Sequence, residues 1–368
     1  MADETRRAIL SAGVATAFSA FTARVPRAWV FSAPREGDMA EATRTVELPG
    51  FVDLQVNGFA GVDFGDRALT SEGVLHAVAA IERTGVTRFL PTLITSSLEA
   101  FSVCAKTIVR VANPAIAGIH MEGPYISPED GFRGAHPRSF VRAAEVDDFR
   151  RRQDAARGRI RLVTVAPEAP GALRLIEHLV TSGVRVAIGH TAATGVQITE
   201  AVKAGATLST HLGNGCASVL PRHPNPIWEQ MGEDRLLASF IVDGHHLPPA
   251  TLKSMVRAKT LARSILVTDA MAAAGMPPGR YTLGGQEVEL SAAGRVAAPG
   301  ASNLAGSALR LDVAIGNTAR FCGLSLEEVA PMASTRPAEY LGIPTAGRVL
   351  ASWDPSRFAL RVLRVLGS

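Results

Sequence analysis

Residues 159–211 read RIRLVTVAPEAPGALRLIEHLVTSGVRVAIGHTAATGVQITEAVKAGATLSTH. Three short apolar, β-branched runs stand out, Arg159–Val165, Arg185–Ile188 and Thr207–Thr210. Between them lie Gly171–Ser182 and Gly195–Ala204, where apolar residues recur at helical spacing. Strand, helix, strand, helix, strand is the order of a parallel sheet.

The same order extends outward in both directions. Further strands are expected at Thr45–Gln55, Thr87–Ile94, Ala117–Met121, Ser239–Val242 and Ser264–Thr268, and helices at Glu72–Thr84, Glu99–Val111, Ala143–Ala156, Pro249–Lys259, Ser307–Phe321 and Ser325–Ala333. Eight such strands alternating with helices predict an α/β fold, a (β/α)8 TIM-type barrel. The 368 residues leave room for a barrel of roughly 250 residues and a minor attachment. Gly275–Pro299 breaks the alternation and reads as a hairpin, Tyr281–Leu283 with Glu287–Leu290 about Gly284-Gly285. The tail Phe358–Val365 reads as a strand returning to a small, incomplete β-sandwich attachment. The expected division is 1–48 as an N-terminal extension and part of that attachment, 49–342 as the barrel, and 343–368 as the C-terminal return.

Composition narrows the partners. The hydrophobic share of 47% and the charged share of 20% suit a soluble globular chain, with enough apolar residues for a large core. Net charge is +4, and the lysines are only Lys106, Lys203, Lys253 and Lys259, so the positive charge is nearly all arginine. No basic run carries interleaved aromatics, which excludes a nucleic-acid footprint. Cys104, Cys216 and Cys322 are odd in number and far apart, which favours a reducing compartment over a disulfide framework. Arg6-Arg7 before the apolar stretch Ala8–Phe21 has some look of an export signal, but Asp3 and Glu4 precede it and the stretch is too short to span a membrane. A cytoplasmic protein with no membrane contact is expected.

In a barrel, catalytic groups come from the C-terminal ends of strands. Six of the eight apolar runs end there in groups able to bind a metal or move a proton: Asp53-Leu54-Gln55-Val56-Asn57, His120-Met121-Glu122, Gly189-His190-Thr191, Thr210-His211, Asp243-Gly244-His245-His246 and Thr268-Asp269-Ala270. A lone His or Asp after a strand is ordinarily a hydrogen-bonded structural residue or a helix cap; recurrence at equivalent positions points to a site. Glu122, His190 and His211 supply two imidazoles and a carboxylate, the set of a hydrolytic zinc centre with an open position, which Fe(II), Co(II) or Mn(II) also suits. The structural alternatives are an ion pair of Glu122 with Arg133 and a pair of carbonyl-bonded core histidines. Asp269 is the candidate acid/base: it would take a proton from hydroxide-forming water on the metal and deliver it to the departing amine.

These endings lie within motifs that match a known family in order and spacing: Pro49–Gly58 with Gly61–Phe64, His120–Tyr125 with Gly134–Pro137, Ala166-Pro167-Glu168, Gly189-His190-Thr191, Thr210–Asn214, Asp243–His246, Thr268-Asp269-Ala270 and Leu304–Ser307. From Pro49 to Gly342 the chain resembles the N-acetylglucosamine-6-phosphate deacetylases of the amidohydrolase superfamily. The resemblance implies a metal-dependent hydrolase that splits the acetamide of N-acetylglucosamine 6-phosphate into glucosamine 6-phosphate and acetate. It implies one divalent metal per subunit, held by Glu122, His190 and His211, with Asp269 as catalytic acid/base. It places His136 and His246 on the sugar or beside the scissile amide and Leu304 among the substrate contacts. Asn214 and the backbone of Gly215 match phosphate-contacting positions. Arg222 matches an arginine reaching the neighbouring subunit's substrate, hence a homodimer. Gln55 and Asn57 stand where other superfamily members place a His-x-His pair for a second metal.

The chain departs from the family at Gly213-Asn214-Gly215-Cys216, around Pro221–Pro226, and at both ends. The altered loop leaves open another N-acyl amino sugar, or an N-acyl amino acid, as substrate. A catalytically degenerate binding barrel is the non-enzymatic alternative; the presence of Glu122, His190, His211 and Asp269 together weighs against it.

Overall fold

The computed structural model describes residues 43–283, 286–301 and 303–367, so the export-signal reading of residues 6–21 lies outside the described residues, as does the Gly284-Gly285 turn. Eight parallel strands lie side by side in sequence order: Phe51–Val56, Val86–Ile94, Ile119–Glu122, Ile160–Val165, Arg185–Ile188, Leu208–Ser209, Leu237–Ile241 and Ser264–Val267. They are the first to eighth barrel strands below. All six residues of the first are buried, as a sheet covered on both faces requires. The ring closes between first and eighth strands, where the Asp269 N–H donates to the Gln55 carbonyl (2.9 Å) and the Asn57 N–H to the Ala270 carbonyl (2.8 Å). Buried at the same seam, Asp53 accepts the Thr268 hydroxyl at 2.6 Å, and its carboxyl is pushed up to about 7 by burial.

A helix follows each strand, Ser71–Glu82, Leu98–Val111, Val146–Ala155, Ala172–Thr181, Gly195–Lys203, Pro226–Gly232, Pro249–Lys259 and Leu311–Cys322, and Leu326–Ala333 and Thr335–Leu341 come after the last of them. Several starts are written locally. Thr70 and Ser97 accept the N–H three residues on, and Thr194 and Gln197 form a reciprocal capping box. The Pro226–Gly232 helix was not expected from periodicity, because seven residues show too little of it. Its signal is chemical: Asn225 accepts the N–H groups of Ile227 and Trp228, and Pro226 opens the first turn.

The expected strand Thr45–Gln55 is two strands, broken at Gly50, where a Cβ would lie 2.1 Å from the Ala346 carbonyl oxygen. Arg44–Pro49 leaves the barrel to pair antiparallel with Arg348–Asp354, which pairs with Ala359–Leu366. Among the described residues this attachment is a single three-stranded layer. The expected hairpin gains a third strand: Gly279–Leu283, Gln286–Leu290 and Arg295–Ala297 are antiparallel neighbours, and Gly306–Ser307 extends them. That pairing is why the following helix begins at Leu311 rather than Ser307. Among the described residues no helix is long and apolar enough to cross a membrane.

A buried charge cluster anchors the long loop after the third strand. The fully buried Asp148 carboxylate accepts the Tyr125 hydroxyl and Arg152 Nε, both at 2.9 Å, and Arg142 at 2.8 Å. Arg152 also reaches the Ser96 carbonyl (3.3 Å), so loops after the second and third strands meet on one helix. Removing one partner of a buried ion pair strands the other, at a cost of about 3–5 kcal/mol. Asp148→Ala is therefore expected to lower unfolding free energy by about that amount in a urea titration.

Candidate active site

Strand ends bring the expected residues together. Glu122 closes the third strand, His190 follows the fifth, His211 the sixth and Asp269 the eighth, and Glu122, His190 and His211 are each at most 6% exposed. His190, His211 and Asp269 all have positive φ, at 50°, 29° and 49°. This left-handed backbone is costly for a residue with a Cβ and concentrates at functional sites.

One oxygen is the hub. Glu122 Oε1 lies 3.0 Å from His211 Nε2, 3.3 Å from His190 Nε2 and 2.9 Å from Gln55 Nε2. The two Nε2 atoms are 3.1 Å apart, and Glu122 Oε2 is 3.6 Å from His136 Nε2. His190 Nδ1 lies 2.9 Å from the Phe132 carbonyl, which can only accept, so Nδ1 carries a proton and Nε2 is the nitrogen that faces Glu122 and His211. His211 Nδ1 is buried without a hydrogen-bond partner.

Burial works to raise the Glu122 carboxyl, but hydrogen bonds from His136, His190 and His211 hold it well below the usual carboxylate range. His211 is shifted up, since the Glu122 bond outweighs burial. His136 is lowered to about 4, first by burial and then by the neighbouring His190. Asp269 is raised to about 6, by burial and then by the charge of Glu122.

The donor set fits a divalent cation. Ligand bonds of about 2.0–2.1 Å in a tetrahedron place neighbouring ligand atoms about 3.3 Å apart. The Glu122, His190 and His211 atoms lie 3.0, 3.1 and 3.3 Å from one another. A carboxylate oxygen and two imidazole nitrogens at such spacing need something positive among them, a shared proton in the metal-free protein or a cation when the nitrogens present their lone pairs. A second set, Glu122, His136 and His190, also has its ligand atoms within 4.8 Å of one another. His136 suits a donor role better, since its Nδ1 faces the Thr95 hydroxyl (2.8 Å) and N–H (3.4 Å), which leaves the proton on Nε2.

Other expected residues take places that sequence did not show. Gln55 donates to Glu122, and Asn57 Nδ2 donates to Asp269 Oδ1 at 2.6 Å, so the two amides orient the two carboxylates. The expected alternative, a Glu122–Arg133 ion pair, is not formed; Arg133 turns to Asp130 and the His136 carbonyl. His246 Nδ1 lies 2.6 Å from Asp243, a partner the sequence reading passed over although it opens the same Asp-Gly-His-His motif. Asn214 turns its amide onto the His211 carbonyl (3.1 Å). Gly215 and Gly134 press on the two sides of the His190 ring, where added Cβ atoms would fall 2.8 and 3.1 Å from ring atoms. Arg222 is exposed on the loop before the Pro226–Gly232 helix, and Leu304 is half-buried between Arg295–Ala297 and Gly306. Glu168 accepts the Thr191 hydroxyl and the Ala192 N–H, which holds the turn after His190.

Residues 46–356 match the model of the amidohydrolase family. The chain belongs to the amidohydrolase family. The N-acetylgalactosamine-6-phosphate deacetylase of Escherichia coli O157:H7 is 37% identical to it over 86% of this chain and 83% of that one. The N-acetylglucosamine-6-phosphate deacetylase of Homo sapiens is 38% identical over 80% and 74%. The crystal structure of N-acetyl-D-glucosamine-6-phosphate deacetylase from Mycobacterium smegmatis superposes with a TM-score of 0.79 at 34% identity, over 87% of this chain and 86% of that one. This amidohydrolase is accordingly a hydrolase built on the (β/α)8 barrel, and its family is metal-dependent.

Gln55→Leu removes one N–H donor from a buried, ionised carboxylate. In metal-free protein it is expected to cost about 1.5–3 kcal/mol of unfolding free energy, measured by urea denaturation.

Proposed function

We propose that this amidohydrolase cleaves the acetamide of N-acetylglucosamine 6-phosphate to glucosamine 6-phosphate and acetate. The observation that carries the reading is the convergence of Glu122 Oε1, His190 Nε2 and His211 Nε2 at tetrahedral-edge spacing. Asp269, held by Asn57, stands beside that cluster, close enough to feel the charges of Glu122 and His211. Relatives that carry this activity in their names support the substrate.

Glu122, His190 and His211 would hold one divalent cation per subunit, zinc first, with iron, cobalt or manganese also suited to the set. When bound, such a cation polarises an acyl oxygen and lowers the pKa of water toward ~7. Asp269 takes the proton of the attacking water, with Asn57 engaging Oδ1 and the other oxygen left for proton exchange. It then delivers that proton to the amine nitrogen, without which the C–N bond cannot part at useful rate. His136 offers its Nε2–H beside Glu122, and His246 approaches from the seventh strand; both serve the sugar or the acetamide. Asn214, the Gly215 backbone, Leu304 and Arg222 serve the phosphosugar, with Arg222 acting across a homodimer. In this reading 49–342 is the catalytic barrel, 1–48 an N-terminal extension that ends in part of the small attachment, 343–368 the C-terminal return to it, and the enzyme works in the cytoplasm.

A second substrate is favoured by one observation, the 37% identity to a relative named for the galacto epimer. Acetate release from both N-acetylhexosamine 6-phosphates and from unphosphorylated N-acetylglucosamine separates the readings. Turnover of none of them by metal-loaded protein would sink the deacetylase assignment.

Asp269→Asn should lower kcat/KM by about 10²–10⁴-fold while bound metal stays at the wild-type amount. The pH profile has a defined sign. Asp269 must be ionised to take a proton, so kcat/KM falls as pH drops through its pKa. That value is about 6 with Glu122 uncompensated, and a cation on Glu122 lowers it. The acid limb is therefore expected at or below pH 6, and absent from residual Asp269→Asn activity.

Chelation gives a test independent of turnover. Removing the cation takes away a ligand that binds only the folded site, so the melting temperature should fall. Returning zinc at 100 times its dissociation constant should restore about 2.7 kcal/mol. A melting curve indifferent to chelator and zinc would count against the centre.

A further inference from the structure

The Asp243-Gly244-His245-His246 turn at the end of the seventh strand holds a carboxylate with every bond directed inward. Asp243 Oδ1 accepts the backbone N–H groups of His245 and His246, both at 2.8 Å, and Oδ2 lies 2.6 Å from His246 Nδ1. The Asp243 and His246 side chains are 7% and 12% exposed. Gly244, at φ +80°, makes the reversal. Both flanks of the turn are fixed: Asn317 donates to the Val242 carbonyl at 2.8 Å, and His245 Nε2 donates to the Ala293 carbonyl at 3.0 Å. Burial tends to raise the Asp243 carboxyl, but the bonds from His246 outweigh it and keep it below the usual range.

An ionised carboxylate only accepts, so His246 Nδ1 must carry a proton. In the neutral ring Nε2 is then a lone pair, and it is the one ring nitrogen left to meet a ligand. The turn follows the C-terminal end of the seventh strand, on the same rim of the barrel as His211 and Asp269. Removal of Asp243 would leave either tautomer and a freer ring.

We propose that Asp243 is a positioning residue, which fixes the tautomer and direction of His246 so that Nε2 accepts a hydrogen bond from an N–H or O–H of the substrate. It rests on the deacetylase reading for the identity of that substrate. The pairing itself stands on the geometry of the turn.

Asp243→Asn is the informative variant. Its carbonyl oxygen can still accept the two backbone N–H groups, so the turn keeps its bonds. Its NH2 then faces His246 Nδ1 and forces the proton onto Nε2, turning the acceptor into a donor. A tautomer reversal of this kind costs about 10⁴-fold in the serine proteases; here kcat/KM should fall by about 10²-fold or more, with metal content and melting temperature unchanged. His246→Ala and the double variant complete a cycle. If Asp243 acts through His246, adding Asp243→Asn to His246→Ala should cost less than about threefold. A full second loss in that background, or wild-type kcat/KM for Asp243→Asn, overturns the proposal.

Nitrogen NMR of the intact metal-loaded protein gives a readout besides activity. The His246 ring should show a protonated Nδ1 and a bare Nε2 in wild type, reversed in Asp243→Asn. A wild-type ring protonated at Nε2 alone overturns the pairing even if the variant fails to fold. Wild-type protein that turns over no phosphosugar refutes the deacetylase reading instead, and leaves the NMR result to decide the tautomer.

Discussion

A single carboxylate oxygen, Glu122 Oε1, sets the terms for the mouth of this barrel. It lies in a residue 2% exposed, where water cannot solvate it, and an uncompensated charge there would cost several kcal/mol. Compensation is drawn from across the ring: Gln55 from the first strand, His190 from beyond the fifth and His211 from beyond the sixth. The partner oxygen faces His136 from the loop after the third. No two of these donors are neighbours in sequence. The strand ends must therefore be held in register for the charge to be tolerated at all, and stability and chemistry depend on the same closure of the sheet.

Holding them has a local cost. His190, His211 and Asp269 each adopt left-handed backbone, where the chain leaves its strand and folds the side chain inward. Such conformations persist only where the surroundings over-determine them. Here they do: Gly134 and Gly215 close on the His190 ring while Phe132 takes its Nδ1–H. The Ser239 hydroxyl accepts the His211 N–H at 2.8 Å. Asp269 is tied to the first strand through its own N–H and through Asn57. Beneath it, Asp53 and Thr268 bond across the same seam.

The two amides of the first strand change how the site is understood. Gln55 and Asn57 act as hydrogen-bond donors, one to each carboxylate. Hydrogen bonds hold Glu122 ionised, while its charge helps to keep Asp269 above the usual carboxylate range. Different environments thus give the two carboxyls different affinities for a proton.

Much of this was legible in the chain alone. Eight apolar runs alternating with helical periods point to a barrel, because the alternation gives a helix-covered parallel sheet and eight strands are the number that closes it into a ring. Polar groups at the strand ends mark the catalytic rim, because the barrel puts those ends on one face. Glu122, His190, His211 and Asp269 could be named on that basis. Tertiary structure decided what depends on distance and direction: that Gln55 donates to Glu122 and Asn57 to Asp269, that Arg133 pairs with Asp130, and that Asp243 grips His246. It also decided where the first strand breaks, since the clash that demands glycine at position 50 comes from Ala346, almost three hundred residues away. Sequence records residue type and spacing, and these suffice where chemistry follows from the period of a strand or helix. Hydrogen-bond partners and close approaches are set by segments remote in the chain, and only the folded backbone brings them within reach.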